Sequence, residues 1–208
     1  MARSIRIEYE GAYYHVMARG NHRSAIFLDD DDHLYFLATL EEACEKTGWR
    51  VHAWVLMKSH YHLLIETPEA NLVEGMKWLQ NTYTRRFNVR HKEWGRLFGD
   101  RYKAILVDGK SPYYYETMID YIHLNPVRAG LLSFENKKSV LDYRWSSLAG
   151  GYALPGNGVR LQILTEVHHS NPSDIANSTK LGGKRWLSSL RLVRANCWLT
   201  LAALFIFS

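Results

Sequence analysis

Two runs of β-forming residues meet across a two-residue turn: WRVHAWVLM (49–57) and HYHLLIET (60–67) are separated only by Lys58 and Ser59. A connection this short makes the two strands antiparallel neighbours, so a hairpin sits inside whatever sheet the chain builds. The flanking segments restrict the fold further. Upstream, AYYHVMA (12–18) reads as a strand that stops at the turn signal Gly20-Asn21. Between that strand and the hairpin, Asp29, Asp30, Asp31 and Asp32 open a segment whose Leu34, Leu37, Leu40 and Ala43 recur at helical spacing up to Gly48. Downstream, Pro68 closes the hairpin, and Asn71 caps a segment with Leu72, Met76, Leu79, Tyr83 and Phe87 three or four residues apart. A loop at 95–99, a fourth strand RYKAILV (101–107), and a helix opened by Ser111-Pro112 and ended by Pro126 and Gly130 complete the order. The sequence β-α-β-β-α-β-α predicts an α+β chain of the ferredoxin-like split βαβ type. It has an antiparallel sheet, two packing helices and one additional helix.

The chain has 208 residues, enough for one good-sized core plus an appendage. With 47% hydrophobic and 23% charged residues it has the balance of a globular protein, which excludes a disordered or many-span membrane chain. Cys44 and Cys197 stand far apart without a CxxC pair, so no disulfide framework or cysteine zinc ribbon is available and a reducing cytoplasm is expected. The first residues contain no apolar core of a secretion signal. The apolar run at 197–208 is shorter than the roughly 20 residues a spanning helix needs, so no transmembrane span is expected. The core is expected over 1–132. Residues 133–208 read as a mixed basic appendage with an apolar tail, broken by Gly150-Gly151, Pro155-Gly156, Asn171-Pro172 and Gly182-Gly183.

The chemistry starts at His60-Tyr61-His62. On a strand, residues i and i+2 leave the same face, so the two imidazoles stand side by side as half of a metal site, or as a chance pair on a half-exposed sheet. The segment YIHLNPVR (121–128) offers what such a pair lacks, because Tyr121 and Asn125 are one helical turn apart. A metal-polarised phosphate attacked by the Tyr121 oxygen would leave the protein covalently joined to nucleic acid, with the phosphodiester energy conserved. Tyr121 also fits a plain packing role, Asn125 a helix end before Pro126, and Arg128 a surface charge. The net charge of +5 attracts polyanions, and the second helical segment concentrates it: Lys77, Arg85, Arg86, Arg90 and Lys92 lead into Arg96, Arg101 and Lys103. Arg85, Arg86, Arg101 and Lys103 are the residues expected on a DNA backbone. Tyr83 lies among them as a rival nucleophile or a core aromatic.

In this order and spacing HAWVLMKSHYHLLIE, QNTYTRRFN, LFGDRYKAILVD, YIHLNPVRAGL and DYRWSSL resemble the REP-associated tyrosine transposases. These are single-tyrosine HUH endonucleases, grouped with the transposases of the smallest bacterial insertion sequences. The resemblance covers roughly residues 5–152. It implies His60, His62 and Asn125 as ligands of a divalent cation, magnesium or manganese, and Tyr121 as the catalytic nucleophile. It further implies single-stranded hairpin DNA as substrate, a 5′-phosphotyrosine intermediate with a free 3′-hydroxyl, and a role in DNA transposition. Two imidazoles and an amide suit manganese or zinc at least as well as magnesium. A decayed relative that binds hairpins without cutting them, and a phosphodiesterase that uses water, are the competing readings. Monomer and homodimer are both open.

Overall fold

The computed structural model describes residues 7–109, 111–132 and 139–149. Four strands form one sheet in the order β2-β3-β1-β4: β1 (Ala12–Arg19), β2 (Arg50–Met57), β3 (His60–Thr67) and β4 (Lys103–Val107). Every neighbouring pair is antiparallel. Helix α1 (Asp30–Thr47) connects β1 to β2 and α2 (Leu72–His91) connects β3 to β4. This is the split βαβ arrangement that the element order predicts.

Local chemistry sets the ends of α1. The Asp29 carboxylate accepts the Asp32 N–H at 3.0 Å, and Gly48, at φ +69, terminates the helix by donating its N–H to the Cys44 carbonyl. The apolar stripe of α2 is the one its spacing predicts, with Leu72, Met76, Leu79, Tyr83 and Phe87 all buried. In α1, Phe36 joins Leu37, Leu40 and Ala43 in the core while Leu34 is only partly buried. Asn71 occupies the N-cap position of α2, yet its side chain does not cap. Its Oδ1 accepts the Trp49 Nε1–H at 2.7 Å and its Nδ2 donates to the Thr47 carbonyl at 2.9 Å, tying α2 to the junction of α1 and β2. Gly75 faces the same indole, and a Cβ there would lie 2.2 Å from the Trp49 ring. Only glycine lets α2 pass.

Helices α1 and α2 cover one face of the sheet, packed on Tyr14, Val16, Tyr61, Leu63 and Ile65. The opposite face carries Ala53, Val55, Met57, Leu64 and Val107, packed on Ile122 of a third helix, α3 (Pro112–His123). A short helix, α4 (Asn125–Arg128), follows immediately.

The core extends beyond the boundary expected at residue 132, and the reason is the open edge of β2. The backbone N–H of Leu56 donates to the Trp145 carbonyl at 2.8 Å, and Val55 bridges Ser146. Tyr143 Oη donates to the Leu56 carbonyl at 2.8 Å, and the Trp54 N–H donates to Ser147 Oγ at 3.0 Å. The Trp145 ring stacks on His33 with centroids 4.1 Å apart, and Arg144 pairs with Asp30. Residues 143–147 thus strap an edge that would otherwise leave backbone donors and acceptors unpaired. They carry most of the DYRWSSL motif. The appendage expected over 133–208, with its late cations and the apolar run 197–208, lies outside the described residues apart from 139–149. Among the described residues no helix is long and apolar enough to cross a membrane.

Candidate active site

Because Tyr61 and Leu63 fill the α1/α2 side, the period of two along β3 sends His60 and His62 to the α3 side. Strand register extends that placement into rows. His62 pairs with Val55 of β2 and Met17 of β1, and Met17 pairs with Lys103 of β4. His60 pairs with Met57 and Arg19. Arg19 and Lys103 therefore flank the histidines on the same face.

Each histidine has one ring nitrogen engaged. His60 Nδ1 lies 3.2 Å from Ser59 Oγ, and His62 Nδ1 lies 2.8 Å from His15 Nε2 of β1. Both Nε2 atoms remain as donor atoms for a cation. The two rings stand 5.3 Å apart at 80°. Burial, helped by the Arg19 charge at His60 and by His15, His60, Arg128 and Arg19 at His62, favours their neutral form and lowers His60 to about 4 and His62 to about 2. Neutral imidazole is the metal-binding form.

Helix α3 brings Tyr121 to this pair. Its ring meets His62 edge to face at 6.0 Å and His15 at 5.6 Å. The Arg128 guanidinium lies 4.6 Å from the centre of the same ring. The sequence places Tyr121 and Asn125 on one helix face, but the helix breaks between them. Leu124, at φ −83 and ψ −2, separates α3 from α4, and Asn125 begins the second piece. Pro126 has no N–H, so the Ile122 carbonyl lacks its usual helical donor. The Asn125 side chain replaces it: Nδ2 donates to Ile122 O at 3.2 Å and to Tyr121 O at 2.9 Å. Two carbonyl acceptors fix the orientation of the amide, leaving Oδ1 as the atom that can ligate. Among the described residues no three His, Cys, Asp or Glu side chains converge on one point. A cation on this face would need a third donor of another kind, and an amide oxygen such as that of Asn125 is chemically of that kind. Two neutral imidazoles and one amide oxygen fit a divalent cation with positions left for a phosphate.

A second polar chain docks α3 on the sheet. Tyr115 Oη is 2.7 Å from His52 Nδ1, His52 Nε2 is 2.9 Å from Glu66 Oε2, and Arg50 donates to Glu66 Oε1 at 3.1 Å. Alternation from Val51, which faces α1 and α2, puts His52 on the α3 side, and the register shift between Val51 and Ala53 brings Ala53 to that side as well. At the other end of α3, His123 Nε2 lies 2.8 Å from Ser147 Oγ of the strap.

The four cations expected on DNA are spread differently. Arg86 is committed within the fold, donating to Thr39 Oγ1 at 2.7 Å and to Glu42 at 3.0 Å on α1. Arg85 is exposed on α2, the helix that covers the sheet face opposite the histidines. Arg101 is exposed just before β4, beside a hollow of about 750 Å³ along that strand, and Lys103 alone shares the row of His62. Tyr83 is buried, with Oη donating to the Ile26 carbonyl at 2.6 Å, and so serves the core. Sequence reasoning missed His15 and Arg19 and gave Arg128 only a surface role. Position 15 carried a signal, a histidine in phase with the α3 face of β1, but its register against His62 is a tertiary fact.

The family model described as "Transposase IS200 like" matches residues 8–125. A solved structure described as a REP-associated tyrosine transposase bound to a REP hairpin has the same fold. It aligns with a TM-score of 0.58 at 18% identity, over 76% of this chain and 93% of that chain. A crystal structure from Deinococcus radiodurans R1, described as that of a transposase, aligns with a TM-score of 0.40 at 20% identity, over 58% of this chain and 97% of that one. No curated protein matches the sequence.

Proposed function

Because the chain belongs to the IS200-like transposase family, we propose that it nicks and rejoins single-stranded hairpin DNA of the REP type, with Tyr121 as the nucleophile. The observation that carries this reading is the Tyr121 ring resting on His62, beside two imidazoles whose Nε2 atoms are uncommitted. His60, His62 and Asn125 would hold a divalent cation, magnesium or manganese. When bound, that cation polarises the scissile phosphate. The residues of the chain do the rest.

In the covalent step a bond forms between Tyr121 Oη and phosphorus as the bond from phosphorus to O3′ breaks. The phenolic proton ends on the freed 3′-hydroxyl, and the downstream strand stays attached as a 5′-phosphotyrosine. Neither water nor ATP is consumed, so attack by a 3′-hydroxyl reverses the step and rejoins DNA. Arg128 steadies the Tyr121 ring and adds a fixed positive charge beside it. Arg19 and Lys103 are the cations best situated for the flanking phosphates. The docking chain through Tyr115, His52 and Glu66 keeps α3 in register on the sheet, which positional catalysis requires.

The test is a denaturing gel of the purified protein with labelled single-stranded hairpins from the flanks of its own gene, with and without manganese. A protein-linked DNA band that needs both the cation and Tyr121 is expected. Nicking without any linked band, or a linked band that persists in Tyr121→Phe, would overturn the assignment.

A further inference from the structure

Buried on β1, His15 belongs to neither the ligand set nor the nucleophile, yet it touches both. Its Nε2 lies 2.8 Å from His62 Nδ1, the two rings stack at 11° with centroids 5.1 Å apart, and the Tyr121 ring packs edge-on against it at 5.6 Å. Only 5% of His15 and 3% of His62 is exposed, so the contact between the two rings is shielded from solvent. One proton must lie between the two nitrogens, and it can belong to either ring. If it belongs to His15, His62 carries its own proton on Nε2 and cannot ligate. If it belongs to His62, Nδ1–H donates to His15 Nε2 and the Nε2 lone pair of His62 is free.

We propose that His15 is a positioning residue that accepts the His62 Nδ1–H and so holds His62 in its metal-binding tautomer. The proposal rests on reading His62 as a ligand. The physical reason is the cost of the alternative. Without an acceptor at position 15, ligation through Nε2 would leave a buried N–H unpaired, and that penalty is charged directly against cation binding. Ser59 serves His60 differently, because a hydroxyl at 3.2 Å turns freely and His60 is partly exposed. His15 is held between strands and cannot turn away.

Two measurements test this together. Manganese binding is read by electron paramagnetic resonance for wild type, His15→Leu, His15→Gln and His62→Ala. Long-range proton–nitrogen correlation spectra of the metal-free wild type give the tautomer of His62 before any cation can impose it, assigned by its absence in His62→Ala. His15→Leu should bind manganese about 10–100-fold more weakly. His15→Gln, whose Oε1 can accept the same proton, should stay near wild type, and His62 should carry its proton on Nδ1. Leu and wild type binding alike while His62→Ala loses the cation would overturn the positioning role alone, as would a proton on Nε2 of His62. Equal binding by wild type and His62→Ala would overturn the metal reading and the proposal with it. The wild-type tautomer decides the matter even if His15→Leu does not fold.

Discussion

The pairing of Asn125 with Pro126 makes a quantitative prediction. Ile122 is fully buried, and with proline at 126 its carbonyl loses its usual helical donor, the Leu124 N–H being shared between it and the Asp120 carbonyl. Asn125→Ala removes the Nδ2 that serves this carbonyl and the Tyr121 carbonyl. Taking this donor from the two carbonyls, of which the Ile122 one is in a buried bond, should cost about 1–3 kcal/mol. Pro126→Ala alone restores an N–H that can donate to Ile122 O, and loses about 0.4–1 kcal/mol of proline's restriction of the unfolded chain. In the double variant the new N–H takes over the orphaned carbonyl, so the two changes should not add. Urea denaturation of wild type, both single variants and the double variant should give a coupling energy of about 1 kcal/mol or more, with the double variant more stable than the sum predicts. Additivity to within about 0.5 kcal/mol would show that the amide does not stand in for the missing donor. The orientation assigned to Asn125 Oδ1 would then lose its basis.

Arg86→Ala should lower stability by only about 1 kcal/mol, since the Arg86–Glu42 pair is partly open to solvent, and should leave hairpin affinity unchanged. Arg19→Ala and Lys103→Ala should each weaken hairpin binding, and each should flatten its salt dependence by about one unit of slope in a fluorescence titration. Trp145→Ala should cost about 3 kcal/mol or more in urea denaturation, because the strap loses its stacked ring on His33; a cost near zero would detach residues 143–147 from the core. His33 and His52 are held below the usual histidine range by burial, with nearby carboxylates partly opposing it. Their folded pKa is the lower one, so as pH falls below about 6.5 the unfolded chain takes up protons first. Stability is full above that pH and should fall on acidification by up to about 1.4 kcal/mol per pH unit for each ring. Urea midpoints at pH 7.5 and 5.5 check this, and a flat profile contradicts it.

Much of this fold is legible in the chain because local signals and tertiary packing agree. The strand 60–67 has the bounds its composition suggests, and the stripe from Leu72 to Phe87 is the buried face of α2. Asn71 shows where local rules stop, because a tertiary partner, Trp49, outcompetes the cap its position predicts. The strap was hidden for a related reason. Residues 143–147 have little periodicity of their own and acquire a structure only by pairing with β2. At the site, His60 and His62 are readable from the period of a strand. Arg19, Lys103 and His15 depend on register, which fixes which residues on three different strands share a row. The opposite error affected Arg86, where charge density suggests a phosphate contact and the fold supplies Glu42.

The central claim is that Tyr121, among the tyrosines near the histidine pair, carries the DNA. Wild-type protein incubated with a flanking hairpin and manganese, digested, and examined by mass spectrometry should yield one nucleotide-modified peptide, with the added phosphodiester on Tyr121. Modification of Tyr113, Tyr114 or Tyr115 instead, or turnover of the hairpin with every tyrosine unmodified, would contradict the account.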